Sequence, residues 1–243
     1  TVAVSDGVAT VDNATTTVIA TSINDVPTAS NMTQVVEYTE DPPGPVALGD
    51  IVVTDPDVGE VITATLTLNT PAAGSLSTGT FGAATSTYNP ATGIWTVSGS
   101  VADVNAALAA VAFTPVPNWD QDVTITTRIR DSAGTGPADG TITLDVTAVN
   151  DAPVFTNLTS SATFIEGGAP VQIAPNVSIA DIELDARNGG NGNYTGASLT
   201  ITRDGGVNGD DRFSIATGGS LTVAGGPAGG GTVSAGGHVI AVI

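Results

Sequence analysis

Ile62-Thr63-Ala64-Thr65-Leu66-Thr67-Leu68 alternates an apolar residue with a hydroxyl-bearing one over seven positions. A β-strand points successive side chains to opposite faces, so this run builds one dry face and one wet face. Two later runs repeat the pattern. Val123, Ile125, Thr127 and Ile129 alternate with Thr124, Thr126, Arg128 and Arg130, and Ile142, Leu144 and Val146 alternate with Thr143, Asp145 and Thr147. Strands that each keep one polar face predict a sandwich of two sheets. One stretch breaks the period. Val101, Val104, Leu108 and Val111 recur at helical spacing, and Ser100 with Asp103 resembles a capping box, so a short helix is expected there. Trp95, Phe113 and Trp119 flank it and are expected in the core or at a corner.

Composition points the same way. The chain has 243 residues, 41% of them hydrophobic, with 30 Gly and 14 Pro to punctuate turns. Its apolar set is mostly Val, Ile, Ala and Leu, and Thr is abundant, which suits short strands. The formal net charge is −19, and the only cations are five Arg. A surface this acidic cannot neutralise phosphates, so nucleic acid is excluded as a partner, and an anionic membrane would repel it. No run of about 20 apolar residues suggests membrane insertion. Cys is absent, which removes disulfides and thiolate metal sites. Divalent cations are the natural counterions for clustered carboxylates, although acidity can also serve solubility alone.

A tandem repeat organises the chain. Asn24-Asp25-Val26-Pro27 returns as Asn150-Asp151-Ala152-Pro153, 126 positions later. Upstream, Asp6 and Asp131 each open a turn, an alternating strand and then the motif. Downstream, Tyr38-Thr39-Glu40 matches Phe164-Ile165-Glu166, and Ile51-Val52-Val53-Thr54-Asp55-Pro56-Asp57 matches Val177-Ser178-Ile179-Ala180-Asp181-Ile182-Glu183. Fixed-period self-similarity marks an array. It predicts the C-terminal strands of one repeat over 1–25, a complete repeat over 26–150 and most of a third over 151–243. The chain opens and closes in mid-pattern, so it reads as an excerpt of a longer polypeptide. The third repeat is Gly-rich over 185–236, with strands expected at 197–202 and 220–223 and an exposed loop at 225–231.

The acids collect at the predicted junctions. Calcium takes six to eight hard oxygen ligands from carboxylates, carbonyls and amides. An Asn-Asp linker offers such oxygens, and Asp55-Pro56-Asp57 can chelate from a tight turn. The first expected calcium set is Asn24, Asp25, Glu40, Asp55, Asp57 and Asp131. The second is Asn150, Asp151, Glu166, Asp181, Glu183 and Asp185. The same residues also make good turns unaided, because Asx side chains bond their own backbone.

The sequence resembles the cadherin-like and immunoglobulin-like tandem repeats of large bacterial RTX-type surface adhesins. The pieces that carry the resemblance are the two Asn-Asp-x-Pro linkers, Glu40-Asp41-Pro42, Asp55-Pro56-Asp57, Ser98–Leu108 and Phe113-Thr114-Pro115, with Asp181–Asp185, Tyr194–Leu199 and Gly209–Phe213 in the third repeat. It covers nearly the whole chain. It implies an all-β fold of tandem Greek-key β-sandwiches with one short helix in the complete repeat. It also implies calcium at the acidic linker positions and a place outside the cell or on the bacterial surface. Cadherin linkers carry a longer acidic motif, Asp-x-Asn-Asp-Asn. Here Ser22 and Ala148 stand at its leading acid, and Val26 and Ala152 at its last Asn, so each junction offers fewer ligands.

Catalysis finds no frame. The one His, His238, sits in a Gly-rich strand approach, zinc lacks its usual ligands, and no phosphate-binding loop leads into a helix. Gly189-Gly190-Asn191-Gly192-Asn193-Tyr194 echoes a calcium β-roll unit, but Tyr194 replaces the needed Asp and the unit does not repeat. The expected function is therefore a non-catalytic stalk of repeats that calcium and neighbouring repeats stiffen. Two other readings share these features. One is a module that grips a cell-surface glycan or protein, favoured by Trp95, Trp119 or Tyr194 standing exposed. The other is a filament or surface-layer subunit that pairs with copies of itself by strand addition.

Overall fold

A computed structural model of the chain describes residues 2–13, 21, 23–158, 162–172, 177–198, 221–224, 232–235 and 238–242. The chain divides into two units, Thr1–Val149 and Asn150–Ile243. The first unit opens with a hairpin of β1 (Val2–Ser5) and β2 (Thr10–Asn13). Its turn is closed by the Asp6 carboxylate, which accepts from the N–H groups of Val8 and Ala9 at 2.9 and 2.8 Å.

A sandwich follows. Its elements are β3 (Thr28–Ser30), β4 (Gln34–Thr39), β5 (Val46–Ala47), β6 (Val52–Thr54), β7 (Ile62–Leu68), β8 (Gly74–Leu76), β9 (Thr80–Phe81) and β10 (Ala84–Thr85). They continue with β11 (Thr87–Asn89), β12 (Ile94–Gly99), α1 (Val101–Ala110), β13 (Ala112–Pro115), β14 (Val123–Arg130) and β15 (Gly140–Thr147). One sheet has six strands in the order β11-β12-β7-β14-β15-β4. Its pairs are antiparallel except β15 with β4, which run parallel from Ile142 beside Gln34 to Thr147 beside Thr39. The other side is built from β5-β13-β8, β3-β6 and the β9-β10 ribbon. The fold is an all-β sandwich, as the alternation predicts.

The alternation is also what fills the core. Ile62, Ala64, Leu66 and Leu68 of β7 are fully buried, and the threonines between them lie on the opposite face. Val123, Ile125 and Ile129 of β14 and Ile142 and Leu144 of β15 join them, facing Phe113, Leu76, Ile51 and Val53. Thr127 is the one polar member of the inward row of β14. It is fully buried, and its hydroxyl donates to the Met32 carbonyl at 2.9 Å, which removes the cost of hiding it. Trp95 is fully buried as well, with its indole N–H on the Ser77 carbonyl at 2.8 Å. Gly93 closes the β11–β12 hairpin at φ +69°, where a Cβ would strike the Leu68 carbonyl.

The expected helix is present as α1. Ser100 caps it, its hydroxyl accepting from the Asp103 N–H at 3.2 Å. The box is not reciprocal, because the Asp103 carboxylate accepts from the Ala83 N–H instead. Val104, Ala107 and Leu108 turn inward. Asn105 ties the helix to β6 by acting as a strand edge. Its amide nitrogen donates to the Val53 carbonyl at 2.9 Å, and its amide oxygen accepts from the Val53 N–H at 2.8 Å.

The second unit contains β16 (Val154–Thr156) paired with β17 (Ser178–Ala180), then α2 (Ile182–Gly190), then a sheet of β18 (Leu221–Ala224), β19 (Thr232–Ala235) and β20 (His238–Val242). The 126-residue period survives in the pairing. Val154 opposes Ala180 as Thr28 opposes Thr54, and Asn157 takes a positive φ as Asn31 does. α2 is a helix in the third repeat, where the sequence suggested none. It stands where the first unit has the turn at 55–60. Asp181 starts it as an N-cap, accepting from the Leu184 N–H at 2.9 Å. The strand expected at 220–223 corresponds to β18. Residues 199–202 of the other expected strand, the loop at 225–231 and Gly209–Phe213 lie outside the described residues.

Three substitutions test this packing. Leu66→Ala should cost about 2–5 kcal/mol in urea unfolding, against less than about 1 kcal/mol for Thr65→Ala on the wet face. Asn105→Ala should cost about 1–3 kcal/mol for each of the two Val53 backbone groups it strands.

Candidate metal centre

The N-terminal pole of the sandwich gathers most of the first expected set. The linker enters there ahead of β3, β6 and β14 end there, and β7 begins there. The Asp25 N–H donates to Asp57 Oδ2 at 2.7 Å, and the Asp57 N–H donates to Asp55 Oδ1 at 2.8 Å. The Asn24 side-chain amide donates to Asp131 Oδ2 at 3.0 Å. Three segments far apart in sequence thus meet: the linker, the stretch from the Asp-Pro-Asp turn to the start of β7, and the loop after β14.

Asp131 is buried and well supplied with donors. The Thr135 hydroxyl donates to its Oδ2, and the Thr135 N–H donates to its Oδ1 at 2.7 Å. These bonds, with the one from Asn24, hold its carboxyl below the usual carboxylate range. Glu60 stands beside it and accepts from the Ser132 N–H at 2.9 Å. Bonds from the Ser132 side chain and backbone pull Glu60 down too, against repulsion from Asp131. Both ion pairs among the described residues go elsewhere, from Arg128 and Arg130 to Asp139. Neither of these ion pairs involves Asp25, Asp55, Asp57, Glu60 or Asp131. Asp55 Oδ2 is buried and has no hydrogen-bond partner among the described residues.

Glu40, the remaining member of that set, lies at the opposite end. It follows β4, where its N–H donates to the Thr147 carbonyl at 2.9 Å. Its Oε2 accepts from the Val149 N–H at 2.9 Å. More than the length of β15, itself about 25 Å at about 3.3 Å per residue, separates it from Asp131. Alternation cannot reveal this, because it identifies the face of a strand and not the end at which its flanking loop emerges.

The second unit repeats the linker geometry. The Asp151 N–H donates to Glu183 Oε1 at 2.8 Å, across the same 32-residue span as Asp25 to Asp57. The Asn150 amide donates to the Asp151 carbonyl at 2.7 Å, as the Asn24 amide does to Asp25. Asp181 is buried and Asp185 folds back on its N–H at 3.2 Å. Glu183 Oε2 is buried without a hydrogen-bond partner among the described residues. The Tyr194 hydroxyl donates to Asp185 at 2.6 Å, and burial with that carboxylate pushes its pKa up to about 12. Glu166 lies in an exposed turn, outside this bonded set.

Oxygen-only donors and buried carboxylate oxygens without a hydrogen are what a hard divalent cation accepts. Asn24, Asp25, Asp55 and Asp57 offer oxygens of this kind, with Asp131 and Glu60 beside them. Asn150, Asp151, Asp181 and Glu183 offer the same kind of oxygens in the second unit. Glu60 and Thr135 were not among the sequence candidates. Glu60 could have been found from its place just after Asp55-Pro56-Asp57-Val58-Gly59, whereas Thr135 reaches Asp131 only through the shape of its loop. Of the aromatics that a ligand-gripping module would expose, Trp95 is fully buried, and Trp119 and Tyr194 are half-buried and bonded.

No protein-family model matches the chain, and no curated protein sequence matches it. Solved structures similar to it include the EC22-24 fragment of mouse cadherin-23, at 19% identity over 65% of this chain and 44% of that one, with a TM-score of 0.32. Extracellular cadherin domains 3-6 of protocadherin gamma B2 match at 15% identity over 64% and 35% of the two chains, with a TM-score of 0.31. The extracellular domain of protocadherin gamma B4 matches at 17% over 64% and 24%, with a TM-score of 0.30. The chain spans less than half the length of each. Scores this low do not extend to a common function.

The depressed carboxyls carry a pH signature. A carboxylate whose folded pKa is lowered stabilises the fold above its unfolded pKa and loses that stabilisation as pH falls through the folded value. Asp131 and Glu60 should therefore weaken the first unit as pH drops below the ordinary Asp and Glu range. Thr135→Val should move the Asp131 titration upward in carboxyl NMR, measured with chelator present, and flatten the acid limb of stability.

Proposed function

We propose that the chain is a non-catalytic structural or adhesive segment of a secreted bacterial surface protein, in which calcium stiffens a stalk of β-sandwich repeats. The observation that carries this reading is the recurrence of one oxygen-rich linker geometry at a 126-residue interval. Asn24, Asp25, Asp55 and Asp57 in the first unit and Asn150, Asp151, Asp181 and Glu183 in the second each include a buried carboxylate oxygen with no hydrogen-bond partner among the described residues. An ion would neutralise carboxylates that otherwise repel one another, and neighbouring repeats would be its structural partners. The resemblance of the linkers to adhesin repeats supports a place outside the cell. No helix among the described residues is long and apolar enough to cross a membrane.

Extracellular calcium modules bind with dissociation constants of about 10⁻⁴–10⁻³ M. Calcium at 100 times that constant stabilises a one-site fold by about 2.7 kcal/mol. Thermal unfolding in calcium should therefore lie several degrees above unfolding in EDTA. Asp55→Asn should abolish the gain for the first unit, and Asp181→Asn that for the second. An unchanged melting temperature with and without calcium would sink the reading.

A further inference from the structure

We infer that carboxylate clasps on the backbone order the linkers without any ion, and that between 149 and 151 they leave Asn150 as the only unclasped residue. This goes beyond the calcium reading, because it assigns linker order to hydrogen bonds the chain makes by itself.

The clasps lie within each unit separately. In the first, β15 ends at Thr147, whose carbonyl accepts from the Glu40 N–H at 2.9 Å. The Glu40 carboxylate then takes the Val149 N–H at 2.9 Å, and Glu40 is only 6% exposed. In the second, Glu183 takes the Asp151 N–H at 2.8 Å. The clasped amides are two residues apart. Ala152 is biased to an extended conformation by Pro153, whose own φ is fixed. The backbone is thus constrained through Val149 and again from Asp151.

The other linker repeats the downstream clasp, from the Asp25 N–H to Asp57 at 2.7 Å, and adds the Asn24 side chain on Asp131. Asp in one repeat and Glu in the other reach the same amide. That position therefore needs an acceptor more than it needs one side-chain length. Bonds from an amide to an ionised carboxylate are among the stronger ones a surface loop can make.

Residue-level amide hydrogen exchange on the full chain in EDTA tests this. The Val149, Asp151 and Asp25 amides should exchange at least about tenfold more slowly than an unstructured chain, with Asn150 near the unstructured rate. Glu183→Ala should release Asp151 and spare Val149, and Glu40→Ala should do the reverse. Glu183→Gln keeps an acceptor oxygen and should keep most of the protection. Unprotected Val149 and Asp151 amides in EDTA, with β7 and β14 still protected, would overturn the inference. Protection that appears only on adding calcium would also overturn it while supporting the calcium reading. Equal protection in both buffers, with no calcium effect on melting, would leave the clasps standing and remove calcium.

Discussion

β7 can occupy the middle of a six-stranded sheet because each of its inward side chains is buried to completion. Ile62, Ala64, Leu66 and Leu68 leave no solvent on that face, and β12 and β14 pair along both of its edges. With aromatics making up only 4% of the chain, the core must be assembled from many aliphatic side chains in register. A slip of one residue would send the threonines inward and strand their hydroxyls. The exception, Thr127, is tolerated because the Met32 carbonyl accepts its hydrogen.

That register determines what the two ends of the sandwich can hold. Strands end where the alternation ends, and the polar segments between them converge at the poles. At the N-terminal pole three such segments bring together Asn24, Asp25, Asp55, Asp57, Glu60 and Asp131. Their mutual hydrogen bonds run mainly through backbone N–H groups and the hydroxyl of Thr135. These donors lower the carboxyls of Asp131 and Glu60, but hydrogen bonds alone do not satisfy Asp55 Oδ2. An ion suits the oxygens that are left over, and the clasps suit the amides that are already satisfied. The two roles can coexist in one linker because they use different atoms.

The second repeat keeps the linker and alters the segment after β17. The pairing of β16 with β17, the positive φ at Asn157 and the Asp151 clasp all reproduce the first unit at an offset of 126 residues. Beyond β17 the chain coils into α2 instead of turning through Asp-Pro-Asp. Pro56 does not explain the difference, since a proline suits the first position of a helix; Gly59, at φ +82°, turns the chain where Asp185 continues α2. The capping signal was legible at Asp181, with Glu183 and Asp185 in the first turn, but repeat analogy with the 55–60 turn pointed away from it.

The sequence by itself determined the strands, their dry faces, α1 with its Ser100 cap, and the repeat period, because each depends on residues close in the chain or on a fixed offset. Only the tertiary structure decided which acids share a pole. Glu40 and Asp131 both flank strands of the same sheet, yet they emerge at opposite ends of it, since strand direction follows from pairing and not from pattern. Asn105 bridging to Val53 and Thr135 closing on Asp131 were invisible for the same reason. Each depends on where folding carries a distant or looped backbone group, and no local periodicity records that.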